Sequence, residues 1–187
     1  MRVRFVGELR RRGARLDSEE RKRFEQLTLP HLDAAYNLAR WLTRDEHAAE
    51  DVVQEAFFRA ARFFASFRGG DGRTWLLAVI RRASFDWLRK RRGGAASFDE
   101  NIHDRGDESM NPESLMIRQD DTQLLRDALE ELPPEFREII VLRELEGLSY
   151  QQIAVVIDVP VGTVMSRLSR ARRQLQQRLA VCAGGED

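Results

Sequence analysis

The sequence predicts an all-α protein made of two small helical domains joined by a flexible acidic linker. Three observations carry this. Apolar residues recur at three- and four-residue steps from Thr28 to Arg92 and again beyond Asn111, with almost none of the alternation of a half-buried strand. Gly93-Gly94-Ala95-Ala96 and the acidic, polar stretch to Ser109 break that pattern with too little apolar content to pack alone. Finally, two apolar-striped segments flank Pro160 near the C-terminus, the layout of a helix-turn-helix. The expected divisions are 1–24, a basic extension; 25–92, a first domain; 93–110, the linker; 111–180, a second domain; and 181–187, a tail.

Taken in order, the stretch to Arg23 is rich in arginine and poor in apolar residues, so it reads as a mobile, solvated extension. Leu32, Ala35, Tyr36 and Ala39 mark one face of a first helix. Asp45 can cap the next, in which Ala49, Val52, Val53, Ala56, Phe57, Ala60 and Phe64 form the inner stripe. Asp51, Gln54, Glu55, Arg59 and Arg62 lie opposite. Gly69, Gly70 and Gly72 predict a flexible loop, and Thr74 a cap for a helix through Trp75, Leu76, Val79, Ile80, Ala83 and Trp87. That helix ends in Arg89-Lys90-Arg91-Arg92.

Asn111-Pro112-Glu113 reads as a helix start, with burial expected at Leu115, Leu125, Ala128, Leu129 and Leu132. Pro133-Pro134 resets the chain for a helix through Ile139, Ile140, Leu142 and Leu145. Gly147 can close it in the left-handed conformation, and Ser149 with Gln152 forms a capping box that opens the next. Ile153, Val156 and Ile157 are apolar on one face, and small Ala154 allows a close crossing. Pro160 interrupts, and a second helix starts near Val161. Its inner stripe is Val164, Leu168, Ala171 and Leu175; Thr163, Ser166, Arg167, Arg170 and Arg173 fall on the other side. Such a helix suits the major groove, where residues near its start reach base edges and flanking arginines meet phosphates.

The chain has 187 residues with 31 basic and 31 acidic side chains, a zero sum that conceals segregation. Arg59 to Arg92 is strongly basic, and Gly93 to Asp121 strongly acidic. Cys182 is the one cysteine, so no internal disulfide is possible and no cysteine pair starts a zinc site. No apolar run approaches the roughly 20 residues that span a bilayer, and no secretory signal is evident, so a cytoplasmic setting is expected. Neither catalytic residues nor metal ligands nor a cofactor are expected: Glu50, Asp51 and Glu55 have no histidine or cysteine companions.

These residues together resemble the bacterial sigma-70 family, specifically its extracytoplasmic-function (ECF) group, over roughly Leu27 to Leu179. The strongest markers are Ala49-Glu50-Asp51-Val52-Val53-Gln54-Glu55-Ala56-Phe57, similar to the family's polymerase-binding helix, and Pro160-Val161-Gly162-Thr163-Val164-Met165-Ser166-Arg167, similar to its promoter-recognition helix. Trp75-Leu76 before a basic helix, and Leu132-Pro133-Pro134-Glu135-Phe136-Arg137, stand between them in the expected order. Asp158 departs from the family's usual glycine, but aspartate tolerates the left-handed geometry.

The resemblance implies a factor that joins RNA polymerase core, through a coiled-coil of the largest subunit and the flap of the second-largest, and directs it to promoter DNA. Asp51, Gln54, Glu55 and Arg59 would meet the polymerase. Phe67, Arg68, Arg73 and Trp75 around the glycine loop, with Arg81, Arg82, Arg89 and Lys90, would hold the opened minus-10 strand. Trp75 and Trp87 remain equally readable as core residues. Thr163, Met165, Ser166, Arg167, Ser169, Arg170 and Arg173 would read the minus-35 element, with Arg167 or Arg170 on guanine and Thr163 on a phosphate. Control by an anti-sigma factor is implied as well. The acidic linker is readable either as an occupant of a polymerase channel or as a plain spacer. On the helix-turn-helix alone, a free-standing DNA-binding regulator stays open; the helix from Ala49 to Phe64 has no use in such a protein.

Overall fold

A computed structural model describes residues 16–91 and 119–183 of the chain. The linker 93–110, the helix start expected at Asn111 and most of the basic N-terminal stretch lie outside the described residues. Eight α-helices and no strand occur among those described: α1 (Ser18–Thr28), α2 (Leu32–Thr43), α3 (Glu46–Arg62), α4 (Gly72–Arg91), α5 (Gln119–Glu131), α6 (Pro134–Ile140), α7 (Tyr150–Ile157) and α8 (Val161–Ala183).

Helix α1 corrects one expectation. The basic extension does not run to residue 24, because Asp17 caps a helix from Ser18, accepting from the Glu19 and Glu20 amides at 2.9 and 2.8 Å. Glu20 answers on the Asp17 amide, a reciprocal capping box. Phe24 is 1% exposed and meets Phe57 and Phe64 edge-on, with centroids 6.2 and 5.2 Å away. Phe24, with buried Thr28, anchors the helix to the core in a stretch whose overall composition is charged.

In the first unit, α2, α3 and α4 pack together beneath α1. Asp45 caps α3 through the Ala48 amide at 2.9 Å. The α4 cap is Asp71 rather than Thr74: the Asp71 carboxylate accepts from the Arg73 amide at 3.0 Å and from the Thr74 hydroxyl, so Thr74 serves the cap from inside the first turn. Gly72 is needed at that start because a Cβ there would lie 2.5 Å from the Leu27 side chain and 3.0 Å from its carbonyl oxygen.

In the second unit, α5, α6 and α7 gather around α8. Ala128, Leu129 and Leu132 are buried and Leu125 half-buried. After α6 the backbone widens into a π-helical turn, Val141–Leu145, in which the Glu146 amide bonds the Val141 carbonyl at 2.9 Å. Leu145, at the end of this turn, is 52% exposed. Gly147 follows at φ +67°. The capping box of α7 closes as expected, with the Ser149 amide on Gln152 Oε1 at 2.9 Å and the Gln152 amide on Ser149 Oγ at 3.2 Å. Asp158 takes φ +58° in the turn before α8.

The two units are not separate globules. Buried residues form one continuous core from Phe24 and Leu38 in the first to Leu142 and Val164 in the second. The seam lies chiefly between α4 and α7 and between α2 and α6.

Candidate nucleic-acid and polymerase interfaces

The face of α8 away from the core collects most of the expected minus-35 residues. Val164, Leu168 and Ala171 are buried against α6 and α7, which turns Met165, Ser166 and Ser169 to solvent, with Met165 53% exposed. Arg170 is half-buried, its guanidinium 6.0 Å from the Phe136 ring centroid, and Arg173 lies further along the helix. Thr163 is half-buried at the helix start, and its amide already bonds the Pro160 carbonyl at 2.9 Å.

Arg167 does not belong to that outer face. It is 9% exposed and turns inward, with Nη1 3.9 Å from Glu138 Oε1. On a helix of 3.6 residues per turn Arg167 sits only about 60° from Val164, at the border of the apolar stripe. A buried acid on α6 decides which way it goes. Glu138 is wholly buried, and burial pushes its carboxyl above the ordinary value, with Arg81 and Arg167 pulling the other way. Its main partner is Arg81 of α4, through Nε at 2.6 Å and Nη2 at 3.1 Å.

Arg81 was expected on minus-10 DNA and is instead half-buried in that pair, with its guanidinium also 4.7 Å from the Phe85 ring centroid. Arg73 is similarly engaged: Nη2 lies 2.7 Å from Glu146 Oε2, and Glu146, 8% exposed, also accepts from Asn37 at 3.3 Å. The remaining basic candidates of this unit, Arg68, Arg82, Arg89 and Lys90, are exposed, with Arg89 paired to Asp86 at 2.5 Å.

Phe67 and Trp75 lie together beside the loop containing Gly69 and Gly70, with ring centroids 4.9 Å apart. Both contact Phe64, at 6.0 and 6.1 Å, and through it the core. Each is half-buried. Trp75 packs against the core cluster, as one of its two sequence readings has it. Phe63, 60% exposed with the Arg62 guanidinium 5.9 Å from its ring centroid, adds an aromatic that helical periodicity gave no reason to select.

On α3, Asp51 and Glu55 are exposed and Gln54 half-buried on one face. Arg59 is tied to Glu55 at 2.9 Å and to Asp86 of α4 at 2.8 Å. These bonds hold its proton more tightly than usual, the Asp86 bond most of all. Arg59 therefore braces α3 on α4 as well as bordering the acidic face.

Arg137 was quoted only within a marker segment, yet it organises the second unit. It is 3% exposed and donates to the Leu129, Glu130 and Leu132 carbonyls at the end of α5, and to the Trp41 carbonyl of α2 at 2.8 Å. Burial, with the nearby Arg44, draws its pKa down to about 10, which still leaves it charged at neutral pH. Its signal in the sequence, like that of Glu138, is a charge set inside the apolar run Phe136–Leu142.

Models of sigma-70 region 2 and sigma-70 region 4 match residues 27–93 and 122–175, in that order. The ECF RNA polymerase sigma-E factor of Escherichia coli K12 is 41% identical over 138 residues, covering 69% of this chain and 72% of the relative. The chain belongs to the ECF group of the sigma-70 family. The ECF RNA polymerase sigma factor SigE of Mycolicibacterium smegmatis is 37% identical over 161 residues, covering 84% of the chain but 62% of that relative's length. Among solved structures, this sigma factor is similar to RpoE in complex with the anti-sigma factor NepR from Bartonella quintana, with a TM-score of 0.64, 31% identity, and coverage of 86% of this chain and 98% of that one. It is also similar to CnrH in complex with the cytosolic domain of CnrY, with a TM-score of 0.61, 26% identity, and coverage of 86% and 90%. The region 2 match thus runs from the end of α1 through α4, and the region 4 match from within α5 into α8. No single described helix is long and apolar enough to cross a membrane.

Proposed function

We propose that this sigma factor binds RNA polymerase core, brings it to promoters bearing particular minus-35 and minus-10 elements, and promotes opening of the DNA there. The observation that carries the reading is the outer face of α8. Met165, Ser166 and Ser169 stand exposed near the start of a helix whose other face is core, in the second half of a helix-turn-helix. Side chains so placed reach base edges in the major groove, and each well-made pair discriminates by about 1 to 3 kcal/mol. Arg170 and Arg173 flank them for phosphate or guanine contact.

In region 2, the Phe67–Trp75 pair beside the glycine loop is proposed as the stacking surface for unpaired minus-10 bases, with Arg68, Arg82, Arg89 and Lys90 along the backbone. Stacking supplies roughly 1 to 3 kcal/mol per base, enough to offset unstacking without nucleotide hydrolysis. The Asp51, Gln54 and Glu55 face of α3 is proposed to dock on basic groups of the polymerase. One structural neighbour was solved with an anti-sigma factor, NepR, which supports the same mode of control here. The division into a region 2 unit up to residue 92, a linker at 93–110 and a region 4 unit from 111 to 180 is likewise proposed.

Co-elution of the purified chain with core polymerase tests the docking face. Asp51→Ala with Glu55→Ala should weaken it about tenfold or more, while leaving minus-35 duplex preference unchanged. Undiminished co-elution with an altered duplex preference contradicts the assignment.

A further inference from the structure

We infer that Glu138 is a specificity-determining residue of region 4 that acts through Arg167. Its buried carboxylate keeps one arginine of α8 off the promoter, so guanine reading on that helix falls to Arg170 and Arg173. The inference rests on the function proposed above and narrows which residues of that site read sequence.

Arg167 stands where a helix wheel leaves its direction open. At 3.6 residues per turn it lies about 60° from Val164, which is buried, and about 60° on the other side from Arg170, which borders the outer face. A change of side-chain torsions, with no movement of the backbone, can therefore send the guanidinium to either face. It goes inward: Arg167 is 9% exposed, whereas Met165 is 53% exposed. Packing alone does not account for that direction, because a guanidinium taken out of water is strongly disfavoured unless a counter-charge meets it. Helix α8 carries no acid of its own, so the counter-charge has to come from another element. Among the described residues it comes from Glu138 on α6 of the same unit, with Oε1 3.9 Å from Arg167 Nη1. Glu138 is itself wholly buried and has to stay paired. Arg81 bonds it through Oε2 at 2.6 Å and Oε1 at 3.1 Å, so Oε1 lies between two arginines. Arginine bidentate to guanine is the commonest specific contact in the major groove, while serine serves any base. With Arg167 free, α8 would present neighbouring arginines at 167 and 170, three residues apart. With Arg167 held, it presents Ser166 and Ser169 beside Arg170, and its demand for guanine is lower.

Holoenzyme assembled from core and the full-length chain, assayed on a promoter library randomised across the minus-35 element, tests this. Glu138→Gln keeps the size of the side chain and an acceptor for Arg81 but removes the charge that holds Arg167. It should create a guanine preference of about tenfold at one minus-35 position where wild type has none. Adding Arg167→Ala should abolish the new preference, and Arg167→Ala alone should leave the wild-type order as it was. A Glu138 that only supports the fold would lower activity on all promoters alike and create no preference. That result, in a variant whose circular dichroism matches wild type, overturns the inference, as does a new preference that survives Arg167→Ala. If Glu138→Gln does not fold, Arg167→Ala decides alone, since Arg81 still pairs Glu138: an unchanged order supports the inference, and loss of a guanine preference overturns it. Wild-type holoenzyme with no chain-dependent starts on any library member sinks the proposed function. Specific starts without the gained preference sink this inference and leave that function standing.

Discussion

Arg167 illustrates how a residue at the border of a helical stripe is decided by what faces it from another element. A wheel drawn on α8 alone places Arg167 beside Arg170 and Arg173, and the resemblance to the recognition helix places it on guanine. The carboxylate that turns it inward, Glu138, belongs to α6, and no local pattern carries that pairing. Arg167→Ala is accordingly expected to lower stability by about 1 to 3 kcal/mol in urea unfolding, the scale of losing a charged partner for a buried group. The order of preference among minus-35 variants should not change. Replacing Ser169, which is exposed on the same helix, should reorder that preference with little effect on stability. Reordered preference for Arg167→Ala with unchanged stability would restore it to the outer face.

At the scale of the element, termini were the most legible feature wherever the capping group was the local polar residue, as at Asp45 and at Ser149 with Gln152. The start of α4 was misassigned because Asp71 and Thr74 are both capping residues, and only the geometry shows one serving the other. Asp71→Ala should cost about 0.5 to 2 kcal/mol of stability. The Asp71 carboxyl is held below its ordinary value of 3.8, first by the Thr74 hydroxyl, then by Gln152 and by the Arg73 and Thr74 amides. Its contribution is therefore present above pH about 4 and lost as pH falls through the lower folded value. Asp71→Asn should flatten that acid limb of the stability curve; an unchanged limb would remove Asp71 from the cap. Gly72→Val should destabilise by about 1 to 3 kcal/mol through collision with Leu27, read as a lowered urea midpoint. Helix α1 is not legible in the sequence because its main aromatic anchor, Phe24, contacts residues some thirty and forty positions away, and periodicity in so charged a segment is blind to such long-range contacts.

Across the whole molecule, helical class and the order of the two units follow from periodicity and from the break after Arg92. Their docking does not, because it depends on groups that meet only in three dimensions: Arg73 and Asn37 with Glu146, and Arg81 with Glu138. A continuous core and a bonded seam should make the described body unfold in one cooperative transition. Calorimetry on a Gln152→Glu, Glu146→Gln variant should split it into two; two transitions in the wild type would show that the units are energetically independent. Beyond stability, the sigma factor's proposed work needs both units on one polymerase, α3 toward the enzyme and α8 toward upstream DNA. Genome-wide run-off transcription, comparing purified core alone with core plus this chain and mapping transcript 5′ ends on the same DNA, bears on that directly. A new set of starts is expected, sharing one pair of upstream elements whose distal member shifts when Met165 and Ser169 are replaced. Identical start sites with and without the chain, under conditions where both are intact, would contradict it.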